Sequence, residues 1–193
     1  MFSVGFFAIG SFGGRHAELF PVVEQLSNDA PTASPLRIAY AIICAAVDRK
    51  DTAREILAEG RAAGFAEIPR DAFWMTSVIG YAVLAVELAD ADAAELLFPI
   101  IEPFATAVAF NGASSQGPVS AYLGKLASLL GRHDAADEYL HAALDTAAAF
   151  GWQYHRATTL IALAESCLRR TGALDAEAHA RLDEAQAICD DLY

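Results

Sequence analysis

Small and apolar residues recur along the chain at spacings that predict pairs of packed helices. In four places a small residue is followed four and seven positions later by another small or apolar one: Ala53, Leu57, Gly60; Ala94, Phe98, Ile101; Ala136, Leu140, Ala143; and Ala178, Leu182, Ala185. The groups start at nearly even intervals along the chain. Spacings of three, four and seven place residues on one helical face, where small side chains let a second helix approach closely.

A second recurrent group lies upstream of each of the first. It is a pair of residues followed by a small one three positions after the pair: Tyr40, Ala41, Cys44; Tyr81, Ala82, Ala85; Leu123, Gly124, Ala127; and Leu163, Ala164, Cys167. In both series the period is roughly 41 residues, which lies within the range of helical-hairpin repeats. Two registers with nearly the same period indicate an internal repeat in which each copy is one helical hairpin.

Turn residues separate the two helices of each copy, at 48–51, 90–92, 131–134 and 171–175. Gly131 and Gly172 are predicted to end helices, and the Asp after each turn is predicted to cap the next helix. Gly and Pro also interrupt the helical pattern between copies, at 64–69, 110–118 and 150–151. We therefore expect helices over most residues from Arg15 to Leu192, with little or no β-structure.

The pattern predicts one all-α domain over residues 1–193, a solenoid of about five hairpins. We assign the hairpins to 1–30, as a degenerate first copy, and to 33–64, 70–106, 118–150 and 153–192. The segment 1–14 is uncharged and Phe-rich, without the basic residues that precede the apolar run of a secretory signal, so we interpret it as buried helix. A repeat that begins so close to Met1 is expected either of a fragment of a longer protein or of a natural capping helix.

The acidic net charge of the chain argues against two classes of partner. It carries 25 Asp and Glu against 13 Lys and Arg, a formal net charge of -12, which opposes nucleic-acid phosphates and anionic membranes. No uncharged run is both long enough and apolar enough to span a bilayer. The three cysteines, Cys44, Cys167 and Cys189, lie in helical patterns and are odd in number, as expected of reduced thiols in a cytoplasm.

The third copy resembles the tetratricopeptide motif, in which a Leu-Gly pair, a small or aromatic residue, Ala, an apolar or aromatic residue and Ala recur at fixed spacing. The matching residues are Leu123, Gly124, Ala127, Gly131, Ala136, Leu140 and Ala143. The fourth copy has two extra residues in its turn, and the first two copies carry Tyr-Ala in place of Leu-Gly. The resemblance implies a right-handed α-solenoid, and it is far less specific for function than for fold.

A narrower resemblance begins at residues 69–74, Pro-Arg-Asp-Ala-Phe-Trp, and continues through 122–143. These segments are similar to the C-terminal helical-repeat region of large bacterial regulators, of actinobacterial type, that carry a class III nucleotide cyclase domain, an AAA-type ATPase domain or a LuxR-type DNA-binding module. The chain has neither a Gly-rich loop ending in Gly-Lys-Ser/Thr nor a basic recognition helix. The resemblance therefore implies the regulatory or protein-interaction part of such a regulator, or a stand-alone relative.

No group of residues predicts catalysis, a metal site or a cofactor. The five histidines form no His-Glu-x-x-His pair and no Cys-x-x-Cys cluster accompanies them, so we interpret them as solvated or capping residues. Adjacent carboxylates such as Asp183 and Glu184 point in different directions on a helix and are expected to lie on a solvated face. Cys167 would act as a nucleophile only with a base such as His155, and the repeat register instead places this thiol between helices, where it is inert.

Two groups of residues have two interpretations each. Phe73, Trp74, Trp152 and Tyr154 lie where first helices begin, and they either pack between neighbouring hairpins or line a binding surface. The segment 110–117 is the most loop-like part of the chain, and it is either a recognition loop or a passive connector.

The tetratricopeptide resemblance places groove positions on the first helix of each copy. Among them, the candidate interaction residues are Ile38, Ile42, Ile79, Val83, Val86, Lys125, Ile161 and Arg169. Only Lys125 and Arg169 are basic, which does not support a clamp for peptide carboxylates. The five aliphatic residues of the first two copies are expected to form an apolar strip larger than a monomer leaves in water. We expect this strip to be covered by an apolar helix of a partner, by a second copy, or by a segment of the same chain such as the Phe-rich N-terminus.

The repeat without a catalytic motif predicts a protein-interaction or regulatory scaffold, whose first helices build a concave surface. The alternative is a small-molecule sensor that binds an apolar ligand between hairpins, suggested by the apolar first two copies. Neither function requires an enzymatic activity of this chain, and an enzyme of unknown chemistry is the third alternative.

Overall fold

The chain is built mainly of α-helices, which confirms the all-α prediction. The computed structural model describes residues 15–30, 34–112 and 114–192. The helices of these segments are α1 (His16–Asp29), α2 (Ser34–Ala46), α3 (Lys50–Ala62), α4 (Trp74–Glu87), α5 (Ala91–Ile101), α6 (Val119–Leu129), α7 (His133–Phe150), α8 (Gln153–Thr171) and α9 (Ala176–Leu192). A short 3-10 helix, Glu102–Phe104, follows α5. The segment 1–14, for which we predicted a buried helix, lies outside the described residues.

A two-stranded sheet lies between α5 and α6. Its strands are β1 (Val108–Phe110) and β2 (Ser115–Pro118). The N–H of Asn111 donates to the carbonyl oxygen of Ser114 at 3.3 Å, and its Oδ1 accepts from the N–H of Ser114 at 2.9 Å, which closes the turn. From the sequence we expected only a loop here, because strands of three and four residues are too short to show a periodic pattern.

The chain divides into two compact units. Unit 1 comprises residues 1–97 and 109–116, and unit 2 comprises residues 98–108 and 117–193. Within unit 1, α1 packs on α2, α2 packs on α3, and α4 packs on both α2 and α3. Within unit 2, α6 packs on α7, α7 on α8 and α8 on α9, and α6 also contacts α8. We predicted one domain from the sequence; the division falls inside α5, where no linker composition marks it.

The recurrent small and apolar positions of the second helices face the core, as their spacing predicts. Those that are buried are Ala53, Leu57, Ala94, Phe98, Ile101, Ala136, Leu140, Ala143, Ala178 and Ala185. In unit 2, a Cβ placed on Gly124 would lie 2.5 Å from the Cγ of Leu140 and 3.1 Å from the carbonyl oxygen of Ala136. The absence of a side chain at Gly124 therefore sets the distance between α6 and α7.

Three turns that follow first helices share one backbone geometry. Helices α2, α4 and α6 are each followed by a residue with a positive φ: Asp48 at 64°, Ala89 at 52° and Gly131 at 71°. The N–H of the next residue then donates to the carbonyl oxygen five residues earlier: Arg49 to Cys44 at 2.8 Å, Asp90 to Ala85 at 2.9 Å, and Arg132 to Ala127 at 2.8 Å. This is the Schellman ending of a helix, and it satisfies carbonyl groups that would otherwise lack a donor. Gly172, with a φ of 75°, ends α8, so both glycines predicted to end helices do so.

The aspartates near these turns have two different roles. Asp175 caps α9, since its Oδ1 accepts from the N–H of Ala178 at 2.8 Å, and this bond is the main cause of its lowered pKa. Asp90 caps α5 in the same way. The cap prediction is wrong for Asp51, Asp92 and Asp134, because α3, α5 and α7 begin before them and place them in the first helical turn. A carboxylate there is still favoured by the helix dipole.

Replacing Ala89 with glycine is expected to raise the free energy of unfolding by about 1 kcal/mol. A residue with a Cβ is strained in the left-handed conformation that Ala89 adopts, whereas glycine is not. The matched control is Gly131→Ala at the equivalent turn, where a new Cβ meets no atom within 4 Å, so backbone conformation alone decides the outcome. Urea unfolding of both variants measures the effect; opposite shifts of similar size are expected, and two shifts of the same sign would contradict the shared geometry.

Candidate interaction surface

The apolar positions predicted to form a strip that a partner or another segment covers are partly core in unit 1. Ile38 and Ile79 are each only 2% exposed, whereas Ile42 and Val83 are half-buried. A Cβ on Gly80 would lie 2.4 Å from the Cγ2 of Ile38, so α2 and α4 approach until the isoleucine fills the space of the missing side chain. The surface assignment is therefore wrong for Ile38 and Ile79, because the pattern of the sequence does not show how closely two first helices pack.

The remaining strip positions, Ile42, Val83 and Val86, are half-buried, and their part in an interaction stays a prediction. At the N-terminal end of α4, the Oγ1 of Thr76 donates to the Oε1 of Gln116 in β2 at 3.1 Å. The segment that looked most loop-like is thus anchored to a first helix of unit 1. The expected cover by the Phe-rich N-terminus involves residues outside the described part of the chain.

In unit 2, α8 presents an apolar stripe to solvent. Ile161 is 36% exposed and Leu168 is 45% exposed, and Glu165 between them is also exposed. These residues are spaced by four and three positions along one continuous helix, so they lie on one face. Both Ile161 and the exposed Arg169 beside Leu168 were predicted as interaction residues, and the structure places them together on this helix.

Arginine side chains on α8 differ in what they contact. Arg170 ties α8 to α7, because its Nη2 donates to the Oδ2 of Asp137 at 2.5 Å and to the carbonyl oxygen of His133 at 3.0 Å. Arg156 likewise pairs with Glu184 of α9. Arg169 forms no ion pair with any residue that the structure describes, although 25 carboxylates outnumber 13 Lys and Arg in the chain. Its charge is therefore available next to the apolar stripe.

Helix α6 lies beside the N-terminal half of α8. Lys125 on α6 is half-buried. Burial and, after it, the charge of Lys125 lower the pKa of His155 on α8. Burial, followed by the neighbouring Tyr154, raises the pKa of Tyr122 well above its usual range. These interactions bring Lys125, a predicted interaction residue, next to the helix that carries Ile161 and Arg169. We call the solvent-facing side of α6 and α8, with Lys125, Ile161, Leu168 and Arg169, the α6–α8 face.

Aromatic rings gather where α7 ends and α8 begins. The rings of Phe150 and Trp152 stack with centroids 4.6 Å apart and an interplanar angle of 15°, and Phe150 is 61% exposed. His155 meets Trp152 and Tyr154 edge-on at 5.6 and 5.4 Å. These contacts lie at the junction of the hairpins 118–150 and 153–192, and which of the two predicted roles Trp152 and Tyr154 have stays a prediction. The pattern of the sequence did not single out Phe150, which precedes a left-handed glycine at a helix end.

The nucleophile pair weighed from the sequence is not assembled. Cys167 and His155 lie twelve residues apart on α8, which corresponds to about 18 Å along the helix axis. The Sγ of Cys167 instead lies 3.7 Å from the carbonyl oxygen of Ala173. Among the described residues, no three His, Cys, Asp or Glu side chains are placed to hold one metal ion.

An open cleft of about 420 Å³ lies in unit 1, beside the turn between α4 and α5. Its lining residues are Arg54, Leu57, Leu88, Ala89, Asp90, Ala91 and Asp92. Asp90 is held there by Arg61, whose Nη1 lies 2.9 and 3.0 Å from the two carboxylate oxygens. Three of the seven lining residues are charged, so the cleft does not match the apolar ligand expected of a sensor.

The structure is that of a mostly helical protein with Ile161, Leu168 and Arg169 exposed on α8 and Lys125 half-buried on the neighbouring α6. No protein-family model matches the sequence, and neither a curated protein nor a solved structure matches it. Within the described residues, none of the helices has the length and apolar character needed to cross a bilayer.

Proposed function

We propose that this chain is a non-catalytic protein-interaction domain of the tetratricopeptide-like class, with a solenoid of about five hairpins. The single observation that carries the proposal is the exposed apolar stripe of Ile161 and Leu168 on α8, bordered by the exposed Arg169. Interfaces are typically built from apolar anchors surrounded by polar and charged groups, with Arg over-represented among the anchors. The repeat period and the shared helix endings support the solenoid part of the proposal.

The proposed role is regulatory, as one part of a cytoplasmic bacterial signalling protein. The chain itself would carry the contact between that protein and a partner or a neighbouring domain, and an attached cyclase, ATPase or DNA-binding module would carry the activity. The acidic balance of the chain, with a net charge of -12, supports a protein partner rather than a nucleic acid. The alternative of an apolar-ligand sensor has weaker support, because the cleft in unit 1 has a charged rim.

A photo-crosslinking amino acid at position 161 is expected to capture a discrete protein in living cells. The same amino acid at position 142, which is exposed on α7 of the same unit, is the matched control and is expected to capture none. Leu168→Asp should reduce the adduct from position 161 about tenfold, since an apolar anchor is replaced by a charge. Because Leu168 is exposed, the stability of this variant should differ from that of the wild type by no more than about 0.5 kcal/mol.

The mass of the crosslinked adduct distinguishes a second copy of this chain from another protein. An adduct of twice the mass of the chain indicates a second copy, and a larger or smaller adduct indicates another protein. Equal adducts from positions 161 and 142, or no adduct from either, would remove the α6–α8 face as the interaction surface.

A further inference from the structure

A half-buried histidine of unit 2, His155, is packed against backbone and aromatic rings. A Cβ on Gly117 would lie 2.5 Å from the Nδ1 of His155, 2.7 Å from its Cε1 and 2.8 Å from its Cγ, so the glycine backbone packs against the imidazole. Gly117 has a φ of 87°, a conformation that only glycine adopts without strain. The contact joins the segment that leads into α6 to the first turn of α8.

The charge that acts on His155 in this position is positive. Among the described residues, Lys125 on α6 acts on the ring through its charge, and Tyr154 on α8 contacts the ring. Arg156 is paired with Glu184 of α9. Burial, followed by the positive charge of Lys125, lowers the pKa of His155. Neutral imidazole therefore fits the site, whereas imidazolium would be partly desolvated near a second cation.

We propose that protonation of His155 is an acid-sensitive switch that releases the start of α6 from α8. A charged imidazole in this site would draw water and move away from Lys125. The ring fills the space in which a Cβ of residue 117 would stand, so a movement of the ring would also shift residues 117–119. Because Lys125 belongs to the α6–α8 face, release changes the geometry of that face. The switch stands on the packing of His155 and holds whether or not the face binds a partner.

The direction of the pH effect follows from the two protonation states. In the unfolded chain His155 titrates near the ordinary pKa of about 6.5. In the folded chain the pKa is lower, so the unfolded state binds the proton more readily. The contribution of neutral His155 to stability is therefore complete above the unfolded-state pKa and is lost as the pH falls below it.

The test uses the full chain and its His155→Gln variant, which keeps a neutral polar group of similar size. Below about pH 6.5 the melting temperature of the wild type should fall faster than that of the variant, by at most roughly 3–5 °C per pH unit, the limit set by the binding of one proton. Above about pH 7.5 the two should respond to pH in parallel. Amides of residues 119–123 should lose protection from hydrogen exchange at pH 5 in the wild type, after correction for intrinsic rates, and should keep it in the variant.

A second variant keeps the test decisive if His155→Gln does not fold. Lys125→Met removes the neighbouring cation, so the NMR titration of His155 should move to higher pH and the acid loss of stability should shrink. A His155 signal that titrates at or above pH 6.5 in the wild type would overturn the switch. So would unchanged protection of residues 119–123 between pH 7.5 and pH 5, or an acid loss of stability that is the same in wild type and variants.

Discussion

Replacing Ala136 with leucine is expected to lower the free energy of unfolding by about 1–3 kcal/mol, whereas leucine at Ala142 should change it by no more than about 0.5 kcal/mol. Ala136 is completely buried, and its carbonyl oxygen lies 3.1 Å from where a Cβ of Gly124 would stand. Three added carbon atoms have no space at this closest approach of α6 and α7. Ala142 lies on the same helix and is exposed, so its variant controls for the helix propensity of leucine.

Urea unfolding followed by circular dichroism measures both variants. The midpoint should fall for Ala136→Leu and stay near that of the wild type for Ala142→Leu, with equal slopes. Equal midpoints for the two variants would mean that the register of α7 on α6 differs from the one described. Gly124→Ala provides an independent check from the other side of the contact, since its Cβ would meet Leu140 at 2.5 Å.

Gly80→Ala is expected to destabilise unit 1 by about 1–3 kcal/mol, although alanine is the better helix former. The new Cβ would lie 2.4 Å from the Cγ2 of Ile38, which is too short for two carbon atoms, and Ile38 is itself buried. Since the Cγ2 is bonded directly to the Cβ of Ile38 and cannot rotate away freely, the helices would have to separate to admit the methyl group. Urea unfolding of the full chain measures the change.

A double-mutant cycle with Ile38→Leu isolates the cause of that loss. Leucine has nearly the same volume as isoleucine but no branch at Cβ, so it removes the Cγ2 that opposes the new methyl group. On its own this change should cost less than about 1.5 kcal/mol. In its presence Gly80→Ala should cost less than it does in the wild type, because the clash is gone. Additive effects would show that the contact of Gly80 with Ile38 does not limit the approach of α2 to α4.

The proposed interaction surface depends on how closely the first helix of each hairpin is packed, and this packing differs between the two units. In unit 1, the packing of α2 and α4 buries Ile38 and Ile79 and leaves little of the apolar pattern exposed. In unit 2, α8 keeps Ile161 and Leu168 in solvent. The same type of position is therefore core in one unit and surface in the other. We accordingly propose the interaction surface on unit 2 alone.

Sequence periodicity was sufficient to predict the helices. It also predicted which side of the second helix of each hairpin is buried. Ala53, Ala94, Ala136 and Ala178 each belong to a stripe of small and apolar residues on one helix. These alanines are buried because such a stripe is removed from water only when a second helix packs closely on it. The glycines Gly131 and Gly172 also predicted two helix ends correctly, because glycine adopts the left-handed conformation at a helix end without strain.

The same kind of turn at Asp48 and Ala89 was not marked by glycine, because neighbouring hydrogen bonds hold those residues in a strained conformation that their identity does not favour. The strands β1 and β2 are stabilised by pairing with each other, which a local pattern of three or four residues does not encode.

What the sequence determined by itself was local: which segments are helical, where they end and which stripe of each helix is apolar. Only the tertiary structure decided which apolar stripes remain exposed, since Ile79 and Ile161 occupy corresponding positions in the pattern and differ only in their neighbours. It also decided that Gly117 lies against His155, and that Lys125 lies near enough to shift the pKa of that histidine. The physical reason is that burial and electrostatic interaction depend on distances between residues far apart in the chain, whereas helical periodicity depends on neighbours three and four positions away.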